Sequence, residues 1–108
     1  MERLRLYEKL EGHGEVFDGE RLVAFGDYSL KDVEEPHGRS SHPGDTDVAM
    51  RPQRNIYGVL RPRAPGALAS YVGVRLTLRL QDGRTLPFTV AKAMDPYRVL
   101  VQALGPLR

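Results

Sequence analysis

Apolar and polar residues alternate on both sides of Asp82-Gly83: Val72, Val74, Leu76, Leu78 and Leu80 lead in, and Leu86, Phe88 and Val90 lead out. Alternation with a period of two across an Asp-Gly dipeptide predicts a β-hairpin with one buried face. A two-residue loop would pair even positions with odd ones and put the two apolar sets on opposite faces. A three-residue loop, Gln81-Asp82-Gly83, restores a single face, with Gly83 at positive φ in a type I turn plus bulge. Leu80 then lies opposite Arg84, Leu78 opposite Leu86, Leu76 opposite Phe88 and Val74 opposite Val90, while Arg75 and Arg79 point outward. In this register Pro87 faces Thr77 at a non-hydrogen-bonded pair, so its missing N–H costs nothing on that side. An edge or a gap is expected on the other side.

The same parity recurs near the N-terminus. With Phe17-Asp18-Gly19 as a three-residue loop, Val16 faces Glu20, Gly14 faces Leu22, Leu10 faces Gly26 and Leu6 faces Leu30, and the even positions carry the core. On the other face this register pairs Glu15 with Arg21 and Lys9 with Asp27, each such pair contributing about 0.2–1 kcal/mol. Gly12-His13-Gly14 interrupts the first strand, a sign of a bend, a bulge or a close backbone approach.

Between the hairpins, residues 36–55 are dominated by loop formers, a length that in a small domain points to a functional or mobile excursion. Ile56 to Arg61 reads as a short strand closed by Pro62, and Ala67 to Tyr71 as one helical turn. The C-terminal segment is ambiguous. Asp95-Pro96 resembles a helix start, with Tyr97, Leu100, Val101 and Leu104 on one face, whereas Tyr97, Val99, Val101 and Ala103 would make a strand face. An open sheet needs either a covering helix or a further strand, and strand is the preferred reading. The fold expected is all-β: an antiparallel barrel or twisted sandwich of about five to seven strands, one domain spanning 1–108.

Composition narrows the chemistry. The chain has no cysteine, which removes disulfides, thiolate metal sites and reactive-thiol catalysis. It shows neither an apolar signal core nor a run near the roughly 18 residues of a membrane span, so a cytoplasmic, membrane-free protein is expected. The net charge of +2 is unevenly spread: residues 1–35 carry five basic and ten acidic groups, residues 36–108 eleven and four. Thirteen of the sixteen basic residues are arginine, which a thermophilic or GC-rich source would explain without any function.

Three candidate sites follow. His37, His42, Asp45 and Asp47 hold metal-ligand atoms, but their spacing matches no tight motif, and no cofactor is expected. Ser40, Ser41 and His42 are adjacent in sequence without a rigid elbow or an orienting carboxylate, so no catalysis is assigned. Between Asp47 and Asp82 there are six arginines and no acid. Arg51, Arg54, Arg61, Arg75 and Arg79, with Tyr57 and Tyr71, could serve a small barrel that binds single-stranded nucleic acid. Phe17, Val23 and Phe25 lie on the odd face of the first hairpin, where apolar groups among charges mark a protein or homo-oligomer contact. A non-catalytic binding or assembly module is therefore the leading expectation and nucleic-acid binding the alternative.

Overall fold

The computed structural model describes residues 5–35 and 53–108, with side chains described for 8–34 and 55–108. Six strands form a closed antiparallel barrel: β1 (Arg5–Asp18), β2 (Arg21–Glu35), β3 (Gln53–Pro62), β4 (Arg75–Arg79), β5 (Thr85–Asp95) and β6 (Arg98–Ala103), in the order β1-β2-β3-β6-β5-β4. Closure places β4 back against β1, where Glu15, Val16 and Phe17 pair with Arg79, Leu78 and Thr77. Inward positions alternate as the pattern requires, and the interior is filled by fully buried Phe88, Leu30, Leu60, Leu76, Leu78 and Leu86.

The β4–β5 hairpin has the expected register. Leu76 pairs with Phe88, Thr77 with Pro87 and Leu78 with Leu86. The Leu80 N–H donates to the Arg84 carbonyl (2.7 Å) and the Gly83 N–H to the Leu80 carbonyl (3.0 Å), with Gly83 at φ 95. The register fails only at Val74. Gly73, at φ 82, turns the chain so that its own N–H meets the Val90 carbonyl and Val72 bridges Val90, leaving Val74 exposed. The expected edge or gap beside Pro87 is not open: β6 ends at Ala103, opposite Phe88, but Leu104 donates to the Pro87 carbonyl (2.8 Å) and Gly105 lies close to its ring, so only the bond that would need a proline N–H is missing. The tail then bulges before Arg108 and Thr85 exchange backbone hydrogen bonds.

The first hairpin keeps its predicted parity but not its register. The loop has two residues, Gly19-Glu20, with Asp18 paired to Arg21 and a bulge between Val16 and Phe17; beyond it Val16 faces Ala24, Gly14 faces Gly26 and Leu10 faces Leu30. Gly19 alone is at positive φ (65), the pattern of a type II′ turn with glycine at its first central position. The shift disposes of both predicted charge pairs. Glu15 faces Phe25 and Lys9 faces Lys31.

The Gly12-His13-Gly14 segment marks a close approach. Beyond Glu15, toward the start of β1, no strand ladder joins β1 to the 80–84 loop, and side chains bridge the seam instead. The Gln81 N–H donates to the Tyr28 hydroxyl and the His13 N–H to Gln81 Oε1, both at 3.0 Å, while Arg84 Nη2 donates to Glu8 Oε2 (3.3 Å). A Cβ on Gly12 would lie 2.8 Å from both the Tyr28 hydroxyl and Gln81 Oε1, and one on Gly14 would lie 2.9 Å from the Arg79 carbonyl oxygen. Glycine is needed here for space.

One further expectation is revised and one is borne out. The strand read as 56–61 begins at Gln53, so the predicted 36–55 loop loses its last three residues; residues 36–52 lie outside the described residues. The C-terminal segment is strand β6, with Val99 and Val101 inward. Asp95 Oδ1 accepts the Tyr97 N–H (2.8 Å), the same bond a helix cap would make, but here it closes the β5–β6 turn. Because β3 and β4 stand on opposite walls, residues 63–74 must cross the end of the barrel. They carry a 3₁₀ turn at Ala69–Tyr71, and the fully buried Leu68 plugs the core.

Candidate protein-docking surface

The described members of the arginine set named from sequence sit on two strands. Arg61 lies on β3, whereas Arg75 and Arg79 lie on β4, three strands away in either direction around a six-strand ring. Tyr57 is half-buried on β3. Tyr71 packs against the core, and its hydroxyl accepts a hydrogen bond from Arg21 Nη2 (3.1 Å). Arg51, the side chain of Arg54, and His37, His42, Asp45 and Asp47 lie outside the described residues.

What the fold does bring together is a row across four strands. Arg63 donates its N–H to the Phe25 carbonyl (2.9 Å) just past β3, Phe25 on β2 pairs with Glu15 on β1, and Glu15 pairs with Arg79 on β4. The guanidinium of Arg63 sits 5.6 Å from the Phe25 ring centre, and that of Arg79 sits 5.1 Å from the Phe17 ring centre. Arg79 Nε also donates to Glu15 Oε1 (2.7 Å). One row toward the barrel mouth, Arg61 pairs with Asp27 and Asp27 with His13, whose Nδ1 meets the Asp27 carboxylate. A groove of about 400 Å³ runs between His13, Glu15, Phe25, Arg63, Arg79 and Gln81. Val23, the third predicted contact, is half-buried and packs against the core, because the bulge takes it out of the outward row.

On this wall the Ser29 hydroxyl donates to Glu11 Oε2 (3.3 Å). Among the described residues no group of three His, Asp or Glu is placed to hold a metal ion. No helix of the described residues is long and apolar enough to cross a membrane.

Exposure is concentrated at one end. Seven large apolar side chains are exposed among the described residues, and six of them (Leu22, Phe25, Val72, Val74, Met94 and Tyr97) belong to the β1–β2 hairpin tip, the 63–74 crossing and the β5–β6 hairpin tip. These elements meet at the end plugged by Leu68, where the Gly66 N–H donates to the Pro96 carbonyl (2.7 Å). Of the seven, Leu104 alone is at the other end.

That other end, the mouth, holds a cavity of about 690 Å³ lined by Glu8, the buried Asp32, Asn55, Ile56, Arg84 and the tail from Ala103 to Leu107. It opens because the tail leaves β3 to follow β5. Arg84 there bridges Glu8 and Asp82, and the hydrogen bond to Glu8 raises its pKa above the ordinary arginine value. Asp82 is held below its ordinary value, first by the Arg84 N–H, and Asp95 likewise by the Tyr97 N–H.

Phe17 and Phe25 were legible as outward apolar residues from alternation alone. Arg63 and Glu15 were not, because their place beside Phe25 depends on the β1–β2 and β2–β3 registers. Comparison with known proteins finds no matching family model, no matching curated protein and no matching solved structure.

Proposed function

We propose that the chain is a non-catalytic binding module that docks a protein partner through the plugged end of its barrel. The observation that carries this reading is the collection of exposed Leu22, Phe25, Val72, Val74, Met94 and Tyr97 on one end built wholly of described residues. These side chains surround the plugged end rather than being scattered over the barrel, and exposed apolar groups concentrated in one region mark a contact site. Its chemistry also suits a protein: aromatic, methionine and arginine side chains are enriched at protein interfaces, and Lys is depleted there. Arg63 over Phe25 and Arg79 over Phe17 supply aromatic anchors already stacked by guanidinium groups.

A photo-crosslinking residue placed in turn at Phe25, Tyr97 and Leu104 tests the proposal in cells making the full chain. Protein adducts at 25 and 97 but not at 104 are expected. Absence of adducts at 25 and 97, or equal adducts at all three positions, overturns it. Retention of single-stranded oligonucleotide that falls steeply with salt, and is lost on Arg75→Ala with Arg79→Ala, would instead favour a nucleic-acid surface on β4.

A further inference from the structure

We infer that the partner at Phe25 is a second copy of this chain, joined about a two-fold axis that lies in the contact plane beside that residue. The inference rests on the docking reading above and names the occupant of part of the same surface. In a two-fold interface a surface must complement itself, so a group on one side of the axis meets the group that lies on the other side. The row across the barrel wall meets this condition. Arg63 lies on one flank of Phe25 and Glu15 on the other, fixed there by the Arg63 N–H bond to the Phe25 carbonyl and by the pairing of Glu15 with Phe25.

A two-fold axis running parallel to β2 above Phe25 brings the two Phe25 side chains together at the centre, each with its own Arg63 guanidinium over one face, and sets Arg63 of each copy beside Glu15 of the other. Two equivalent ion pairs then flank one aromatic contact. Both partners are available for this. Arg63 is exposed, and the Glu15 carboxylate, already holding Arg79 through Oε1, has acceptor capacity left for a second guanidinium. A single-sign patch would repel its own copy, whereas this row alternates basic, aromatic, acidic and basic. Phe17 and Leu22, paired with each other in the neighbouring row, extend the apolar contact toward the hairpin tip. Contact between two convex barrel walls is small, so a dimer with Kd in the micromolar range is expected.

Sedimentation velocity of the full chain up to roughly 500 µM tests this, since a micromolar dimer is populated well below that concentration. Wild-type protein is expected to dimerise with concentration, and added salt to weaken the dimer. Arg63→Glu and Glu15→Arg should each weaken it by at least about tenfold, because each sets like charges against each other twice. The two variants mixed in equal amounts should associate again. In the mixed dimer the introduced carboxylate of one variant meets the introduced guanidinium of the other, and the remaining native Arg63 meets the remaining native Glu15. The melting temperature of each variant alone checks that it is folded. Wild type that stays monomeric throughout overturns the second copy, and the docking reading survives that result if cross-links at 25 capture a different protein. A dimer indifferent to both substitutions, or variants that fail to associate when mixed, overturns the two-fold axis at Phe25.

Discussion

The β1–β2 and β4–β5 hairpins are both built on Asp-Gly, and they use the glycine differently. In the second, Gly83 ends a three-residue loop; in the first, Gly19 opens a two-residue loop and a bulge follows. Both deliver even-numbered residues to the core, because any register that moves by an even number of residues keeps the same side chains inward. The predicted and observed registers of the first hairpin differ by four, with Leu10 facing Leu30 instead of Gly26. Face parity therefore cannot separate them. What separates them is tertiary: Phe17 must pair with Thr77 to close the barrel, and Tyr28 must lie opposite Gly12 to reach the Gln81 N–H.

The sharpest way to break the comparison is in the core, where the two hairpins should respond alike. Phe88→Ala is expected to cost about 3–5 kcal/mol and Leu30→Ala about 2–5 kcal/mol in urea unfolding, since both side chains are fully buried. A loss below about 1 kcal/mol in either would mean that the inward face of that hairpin is misassigned.

The hairpins should part company at the seam. Gly12→Ala places a methyl group against Tyr28 and Gln81, and is expected to destabilise by about 1–3 kcal/mol, while Tyr28→Phe removes one acceptor for about 1 kcal/mol. Their combination should cost less than the sum, because the hydroxyl at 2.8 Å from the new methyl is gone. Strict additivity would show that the two residues do not meet.

How much of this was legible follows from the range of each interaction. Alternation named the inward residues of both hairpins except at the tip of the first, where the bulge exposes Leu22 and turns Val23 toward the core, and the edge or gap expected at Pro87 is covered by the tail at Leu104. Asp95 was recognised as a capping residue, yet its bond to the N–H two residues ahead closes a β-turn as well as it starts a helix. The strand outcome came from Val99 and Val101 filling the space between β3 and β5. For the candidate site, Phe17, Phe25 and Arg79 were named from sequence, but as members of two separate sites. Their convergence with Glu15 and Arg63 depends on β1 meeting β4 and on the β2–β3 register, and neither pairing has a local signal.

The turns themselves give smaller effects. Gly83→Asn should be better tolerated than Gly19→Asn, because asparagine accepts a left-handed conformation at the end of a bulged loop but not readily the first position of a type II′ turn. For Gly19→Asn a loss of about 1–2 kcal/mol in thermal or urea unfolding is expected. Equal losses would show that the two glycines occupy the same kind of loop after all.

The smallest difference is acid sensitivity. Asp82 and Asp95 each accept the backbone N–H two residues on, and each pKa is lowered by that bond first. A lowered folded-state pKa contributes stability that is fully present above the unfolded value of about 3.9 and is lost as pH falls through the folded value. The melting temperature of Asp82→Asn with Asp95→Asn should therefore fall less steeply below about pH 4 than that of the wild type, and the two should run parallel above about pH 5. Asp18 opens the other Asp-Gly loop, which turns on the positive φ of Gly19 and not on an aspartate bond of the kind that joins Asp82 to Arg84. Acid limbs of equal slope in the double variant and the wild type would mean that these two bonds contribute nothing to stability in acid.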